Sequence, residues 1–184
     1  MIDFLVIGGG IAGISVAARL SGDGSCKVLE REAHLGYHTS GRSAALYEEN
    51  YGSPSTIALA KAGHADWDNL LAGVLSPRGF MLLCLRGEET QFEADRRHMD
   101  LTEISMAEAQ ARVPILDTQK VLRAAYSTTA QDIDTDMMLQ RFAKLFRRNG
   151  GVIETHQCVQ AIQKIVGGWQ VTCQEQTFTA RRLI

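Results

Sequence analysis

The 184-residue sequence has no charge excess, no cysteine pair and no long apolar run, and each lack removes a class of function. Lys and Arg number 19 against 21 Asp and Glu, a net charge of -2, so no electrostatic reason points to nucleic acid or an anionic membrane. The four cysteines (Cys26, Cys84, Cys158, Cys173) show no C-x-x-C and no paired-ligand spacing. Their strand-like, apolar neighbours predict buried free thiols, which suits a reducing compartment such as the cytoplasm. The uncharged run from Phe4 to Ala18 is too short to span a bilayer. Asp3 stands where a signal peptide would carry Lys or Arg, and Gly8, Gly9, Gly10 and Gly13 interrupt a signal core. Low-complexity tracts and internal repeats are lacking too. What remains is an ordinary globular composition, 45% hydrophobic and 22% charged, with length for one domain or one and a part.

The first thirty residues carry the strongest pattern. "DFLVI" (Asp3 to Ile7) reads as a buried strand, and "GGGIAG" then places Gly8, Gly10 and Gly13 in G-x-G-x-x-G spacing. Gly13 opens into helical spacing, with Ile11 and Ala12 in the first turn, ending near Ser21-Gly22. A second strand, "CKVLE", finishes on Glu30, about 20 residues past the glycines. Each part has a physical task. Gly8 permits a tight exit from the strand, and Gly10 lets the backbone approach a pyrophosphate at the helix N-terminus. Gly13 allows close helix–strand packing. The Glu30 carboxylate suits ribose hydroxyls and would repel a 2′-phosphate. Dinucleotide binding follows, with NADP disfavoured, but the fingerprint alone does not separate FAD from NAD.

A simple doubly wound NAD enzyme would continue into another helix and strand. Here Arg31 leads instead into a long polar loop, "REAHLGYHTSGRSAALYEENYG", too long to be a bare connection. "DFLVIGGGIAGISVAARL", "VLEREAHLGYHTSGRSAALYEENYGSP" and "DIDTDMM" together resemble the FAD-dependent D-amino-acid oxidase and dehydrogenase superfamily, in particular its D-arginine dehydrogenase type. The likeness spans nearly all of this chain but about the N-terminal half of a family member. It implies an α/β architecture: a Rossmann-like FAD-binding fold with a parallel sheet and a crossover β-meander, truncated, with the first part of an inserted α+β substrate domain. The implied boundaries are 1–52 and 131–184 for the FAD domain and 53–130 for the partial substrate domain.

The resemblance further implies that Gly41, Arg42, Ser43 and Ala44 lie along the FAD diphosphate and flavin edge. Glu30 and Arg31 would hold the adenosine, and His38, Thr39 and Ser40 would shape the approach. Arg42 offers a planar fork of N–H groups to phosphate, or stands as a solvated loop residue. His38 is either a hydrogen-bonding residue or, as in some relatives, a covalent flavin tether. Val159 is either a core residue or the place where backbone meets adenine. Tyr51 matches an active-site lid tyrosine of the D-arginine dehydrogenase type, between Asn50 and Gly52; alternatively it packs at a domain seam. Leu46 stands where that type has a histidine facing the flavin. Phe80 stands where it has a carboxylate for a cationic side chain.

The remaining segments read structurally. Ser53 with Pro54 starts a helix from "SPSTIALAKAGHADWDNLLAGV", "RGFMLLCL" is a buried strand, and Ser105 with Glu108 makes a capping box ahead of "MAEAQARV". "VLRAAYS" is another strand. "DIDTD" fails as a calcium loop, since Met137 and Ala143 replace the required Gly and Glu, so no metal is expected. Asp134 instead caps a helix whose stripe is Met138, Leu139, Phe142, Leu145 and Phe146. "GVIETH" should rejoin the parallel sheet, and "CVQAIQKIV", "WQVTCQ" and "TFTARRLI" read as a meander turning at Gly167-Gly168.

In a complete relative the substrate amine is oxidised by hydride transfer from its α-carbon to flavin N5. The imino acid then hydrolyses to keto acid and ammonia. The expected partner is a small amino-acid or amine substrate, with no particular electron acceptor indicated. A nicotinamide-linked dehydrogenase remains an alternative. So does a non-catalytic nucleotide-binding piece, with a missing C-terminal half or a partner chain supplying the rest.

Overall fold

The structure is a computed structural model and describes residues 1–184. In chain order, β1 (Ile2–Ile7), α1 (Ile11–Leu20) and β2 (Cys26–Leu29) precede a 3-10 turn at Thr39–Arg42. Next come β3 (Leu46–Tyr47), α2 (Pro54–Ala62), α3 (His64–Asp68), β4 (Leu75–Pro77), β5 (Phe80–Leu85) and α4 (Glu89–His98). They are followed by β6 (Thr102–Ile104), α5 (Met106–Arg112), β7 (Val121–Ser127) and β8 (Gln131–Ile133). The last stretch holds α6 (Thr135–Arg148), β9 (Val152–Glu154), β10 (Val159–Ile165), β11 (Gly168–Cys173) and β12 (Thr177–Leu183). The chain divides into two compact units, Met1–Ala44 with Asp134–Ile184, and Ala45–Ile133.

The first unit is built on one six-stranded sheet, ordered β10-β11-β12-β1-β2-β9. β1 and β2 run parallel, as a strand–helix–strand crossover requires, and β9 adds parallel to β2. β12 serves both halves of the sheet. Its first part pairs antiparallel with β11, and from Ala180 onward it pairs parallel with β1. The meander is therefore continuous with the parallel strands. Its tight turn is Val166-Gly167, since Ile165 pairs with Gly168; the sequence reading placed it one residue late. Gly167 takes φ +79°, the left-handed value that a two-residue turn needs.

α1 and α6 pack together. α6 begins where Asp134 accepts a hydrogen bond from Met137 N at 2.8 Å, and it buries Leu139, Phe142, Ala143 and Phe146. Each large apolar side chain so buried contributes about 1.5–3 kcal/mol. Three cysteines, Cys26, Cys84 and Cys173, are buried free thiols as read from sequence, but Cys158 is exposed. It sits two residues past the left-handed His156, at the entry to β10.

The second unit holds two three-stranded antiparallel sheets, β3-β8-β4 and β5-β7-β6. Because Leu46-Tyr47 pair with Gln131-Asp132, those residues belong with this unit. Its limits therefore fall after Ala44 and Ile133, where the sequence reading had 52 and 130. Ser53 caps α2 through Thr56 N, and Ser105 and Glu108 form the capping box on α5. The helical spacing read from Ser53 onward breaks at Gly63, the C-cap of α2, and α3 ends at Asn69. Phe80 and Leu82 pack partly buried against a cluster of Cys84, Phe92, Met99, Leu101 and Ala125.

Candidate functional site: a glycine turn under a polar loop

The site in the first unit begins with the exit from β1. Gly8 takes φ +104°, which a side chain would strain, and its N–H donates to Leu29 O at 2.8 Å. A Cβ at Gly13 would come 2.0 Å from Gly8 O, so only glycine lets α1 lie this close to the turn. Gly10 is the extended N-cap of α1 and offers no side-chain cap. The N–H groups of Ile11, Ala12 and Gly13 therefore point out of the helix with no acceptor inside it.

The polar loop returns onto this turn. Gly36 N donates to Gly9 O at 3.0 Å, and Ser40 Oγ accepts from Ile11 N at 2.9 Å. Gly41 N in turn donates to Gly36 O at 2.8 Å, and a Cβ at Gly41 would lie 2.5 Å from that same oxygen. These bonds fold Thr39, Ser40, Gly41 and Arg42 into their 3-10 turn beside the start of α1. Arg42 stands 5.2 Å over the Tyr37 ring, whose edge meets His38. Ser43 leaves the turn extended, and Ala44 ends the unit.

Glu30 is buried and held by backbone. Its Oε2 accepts from Gly9 N at 2.6 Å and its Oε1 from Glu32 N at 2.9 Å. A carboxylate has about four lone-pair sites, so two remain for ribose hydroxyls. The His38 Nε2 lies 2.8 Å from both Arg31 Nη2 and Glu32 Oε1. With its single proton on Nε2 the ring donates to Glu32; with Nε2 bare it accepts from Arg31. The hydrogen bond from His38, aided by Arg31, holds the Glu32 carboxyl below its usual range.

Two pockets flank Glu30. One of about 170 Å³ is lined by Gly10, Glu30, Gly36 and Tyr37 to Ser40. The other, about 360 Å³, is lined by Ile7, Gly8, Leu29, Glu30, Arg31, His38 and Gln157 to Val159. The structure thus brings together Gly8, Gly10, Glu30, Arg31, His38, Thr39, Ser40 and Val159. Gly41 to Ala44 line neither of these two pockets, and Tyr51 belongs to the other unit, where it is exposed. Sequence reasoning missed Gly9, Gly36, Gln157 and Cys158. Gly36 could have been found from its place in a loop that must turn back on itself.

The donor set fits a dinucleotide. Free helix-end N–H groups suit a diphosphate, a closed glycine contact leaves room for it, and a buried carboxylate waits one strand away. Across residues 3–184 the chain matches the family model described as FAD dependent oxidoreductase.

The chain belongs to that family of flavoenzymes.

Its cofactor is accordingly FAD, which decides between the flavin and nicotinamide readings of the fingerprint. Among solved structures it is similar in fold to L-alpha-glycerophosphate oxidase from Mycoplasma pneumoniae, at TM-score 0.85 and 18% identity, over 99% of this chain and 53% of that one. L-proline dehydrogenase from P. horikoshii gives TM-score 0.82 and 18% identity, over 99% and 51%. Glycine oxidase from Geobacillus kaustophilus gives 0.82 and 18%, over 99% and 54%. The chain spans about half the length of these proteins. A 65-residue stretch is also 42% identical to an uncharacterised GMC-type oxidoreductase of Rhodococcus erythropolis, covering 35% of this chain and 12% of that protein. No helix is long and apolar enough to cross a membrane.

Proposed function

We propose that this chain is the FAD-holding portion of an oxidoreductase that oxidises the amine of an amino acid, with D-amino acids as the substrate class. The observation that carries the reading is the return of the polar loop onto the glycine turn, through Gly36–Gly9 and Ser40–Ile11. In this assignment the turn formed by Gly8, Gly10, Ile11, Ala12 and Gly13 receives the diphosphate, on those of its backbone N–H groups, such as Ala12 and Gly13, that neither Leu29 O nor Ser40 Oγ already takes. Glu30 and Arg31 hold the adenosine, and the backbone at Val159 borders the adenine. His38, Thr39, Ser40, Gly41, Arg42, Ser43 and Ala44 run from the diphosphate toward the flavin. Residues 1–44 and 134–184 act as the cofactor unit, and residues 45–133 begin the substrate unit.

When bound, FAD would supply a two-electron acceptor for the hydride of the substrate's α-carbon, the amine becoming an imine. The protein's share is position and electrostatics. Tyr51 acts as a lid over the substrate; its exposure and the left-handed Gly52 after it suit a segment that moves. Phe80, half-buried on an apolar cluster, offers no carboxylate, so a guanidinium or ammonium side chain would be left unpaired there. Neutral or apolar D-amino acids are therefore favoured over D-arginine and D-lysine.

The substrate class is tested by anaerobic bleaching of the FAD-loaded protein with a panel of D- and L-amino acids. Fastest bleaching by neutral D-amino acids is expected; a clear preference for D-arginine or D-lysine, or for the L series, overturns it.

A further inference from the structure

Two histidines hold the segment that carries Tyr51, and neither belongs to the cofactor cradle. His98, the last residue of α4, places Nε2 3.0 Å from Gly52 O, across 46 residues of chain. His64, the first residue of α3, places Nδ1 2.6 Å from Glu49 Oε1. The Tyr47 hydroxyl first, and then His64, hold the Glu49 carboxyl below its usual range, so it is ionised and only accepts. A carbonyl oxygen likewise only accepts. The protons therefore sit on Nε2 of His98 and Nδ1 of His64. Both histidines stand on anchored helices. Phe92 of α4 and Met99 just after it are buried with Cys84, Leu101 and Ala125. α3 is tied to β3 by Trp67, whose ring lies 5.0 Å from that of Tyr47.

The segment is fastened at its other positions too. The buried Glu48 accepts from Asn50 N, Ser127 Oγ and Thr129 Oγ1 at 3.3, 3.3 and 3.2 Å. Ser53 caps α2 through Thr56 N. Positions 48, 49, 52 and 53 are thus each held, and only Asn50 and Tyr51 lie between them. Tyr51 N donates back to Glu48 O at 3.2 Å, while its side chain is 61% exposed. Asn50 lines a pocket of about 260 Å³ with Glu49 and His64, and another of about 410 Å³ with Asp100 and Thr128. The held segment is therefore a wall shared by two cavities of the Ala45–Ile133 unit.

We propose that His64 and His98 are positioning residues for Tyr51, a pair of latches that must both release before its segment can leave the wall. With both latched, motion is confined to the two-residue span Asn50-Tyr51. The bearing of the latches on substrate entry rests on the reading of Tyr51 as a lid. They are tested on the full chain by limited chymotrypsin cleavage after Tyr51, which follows the population of the opened segment. H98A and H64A should each speed that cleavage about fivefold, the loss of one hydrogen bond. The double variant should reach about 25-fold, the product of the two, since one opening breaks both bonds. H98Q and H64N, whose amide N–H groups fall near Nε2 and Nδ1, should return the rate toward wild type. Cleavage after Tyr37, exposed in the other unit, is the internal control and should stay constant. Wild-type rates in H98A and H64A would overturn the proposal. So would amide variants that restore no protection, or an equal rise in cleavage after Tyr37. Faster cleavage in the alanine variants supports the latches even where a neutral D-amino acid leaves the rate of the FAD-loaded wild type unchanged, the result that would remove the lid reading.

Discussion

Ser40 Oγ accepts a hydrogen bond from Ile11 N at 2.9 Å, across 29 residues of chain. An outward-pointing donor of α1 is thereby satisfied by the loop that follows β2, before any cofactor arrives. S40A should lower stability by about 1 kcal/mol through the lost bond. Cofactor binding must then order the loop itself, so FAD affinity should fall roughly fivefold. Thermal unfolding with and without FAD reads both effects, and an S40A protein unchanged in both would contradict the account.

Gly13 makes a harder demand. A methyl group there would lie 2.0 Å from a backbone oxygen, and neither side of that contact is a flexible side chain. G13A should cost roughly 3 kcal/mol or more and abolish FAD retention. At Gly22 a Cβ would meet only Arg19 O at an ordinary 3.7 Å, so G22A serves as the tolerated control. Equal melting temperatures for the two variants would show that the close approach does not govern the turn.

Thiol reactivity should report on the cradle. Burial pushes the Cys26 thiol up to about 11 and raises those of Cys84 and Cys173, while Cys158 is exposed and lines the pocket with Gly8 and Glu30. One cysteine per native chain should label rapidly at mildly alkaline pH, and FAD should slow it. Two fast thiols, or a rate indifferent to FAD, would be inconsistent with this geometry.

The acidic range should expose the Glu93 network. Hydrogen bonds from Arg96 first, then Arg97 and Arg123, hold the Glu93 carboxyl at about 2, against a usual 4.5. Its folded value lies below its unfolded one, so its contribution is fully present above about 4.5 and is lost as pH falls toward about 2. The melting temperature of wild type should drop more steeply over that window than that of E93Q, and added salt should blunt the difference. Parallel curves for the two proteins would remove Glu93 from the pH response.

Much of this was legible in the sequence because it rests on local spacing. The G-x-G-x-x-G turn, the caps at Ser53, Ser105 and Asp134, and the stripe on α6 each depend on residues a few positions apart. The parts that were not legible depend on long-range pairing. β3, β4 and β8 have two or three residues each, too few to show a period, and only their mutual pairing moves the limits of the second unit to Ala44 and Ile133. α4 hides because Phe92 is its one buried residue among polar neighbours. Cys158 read as buried because its neighbours are apolar, yet it lies just before β10 and faces solvent. The bonds Ser40–Ile11 and Glu48–Ser127 join positions with no spacing rule between them.

The central claim is that this glycine turn and its returning loop hold FAD. The visible spectrum of the purified protein after incubation with FAD and removal of free cofactor, before and after acid precipitation, tests it most directly. The account predicts a yellow protein whose colour passes into the supernatant on precipitation, with His38 as a hydrogen-bonding neighbour. A protein that stays colourless would contradict the claim, and colour retained in the pellet would make His38 a covalent anchor.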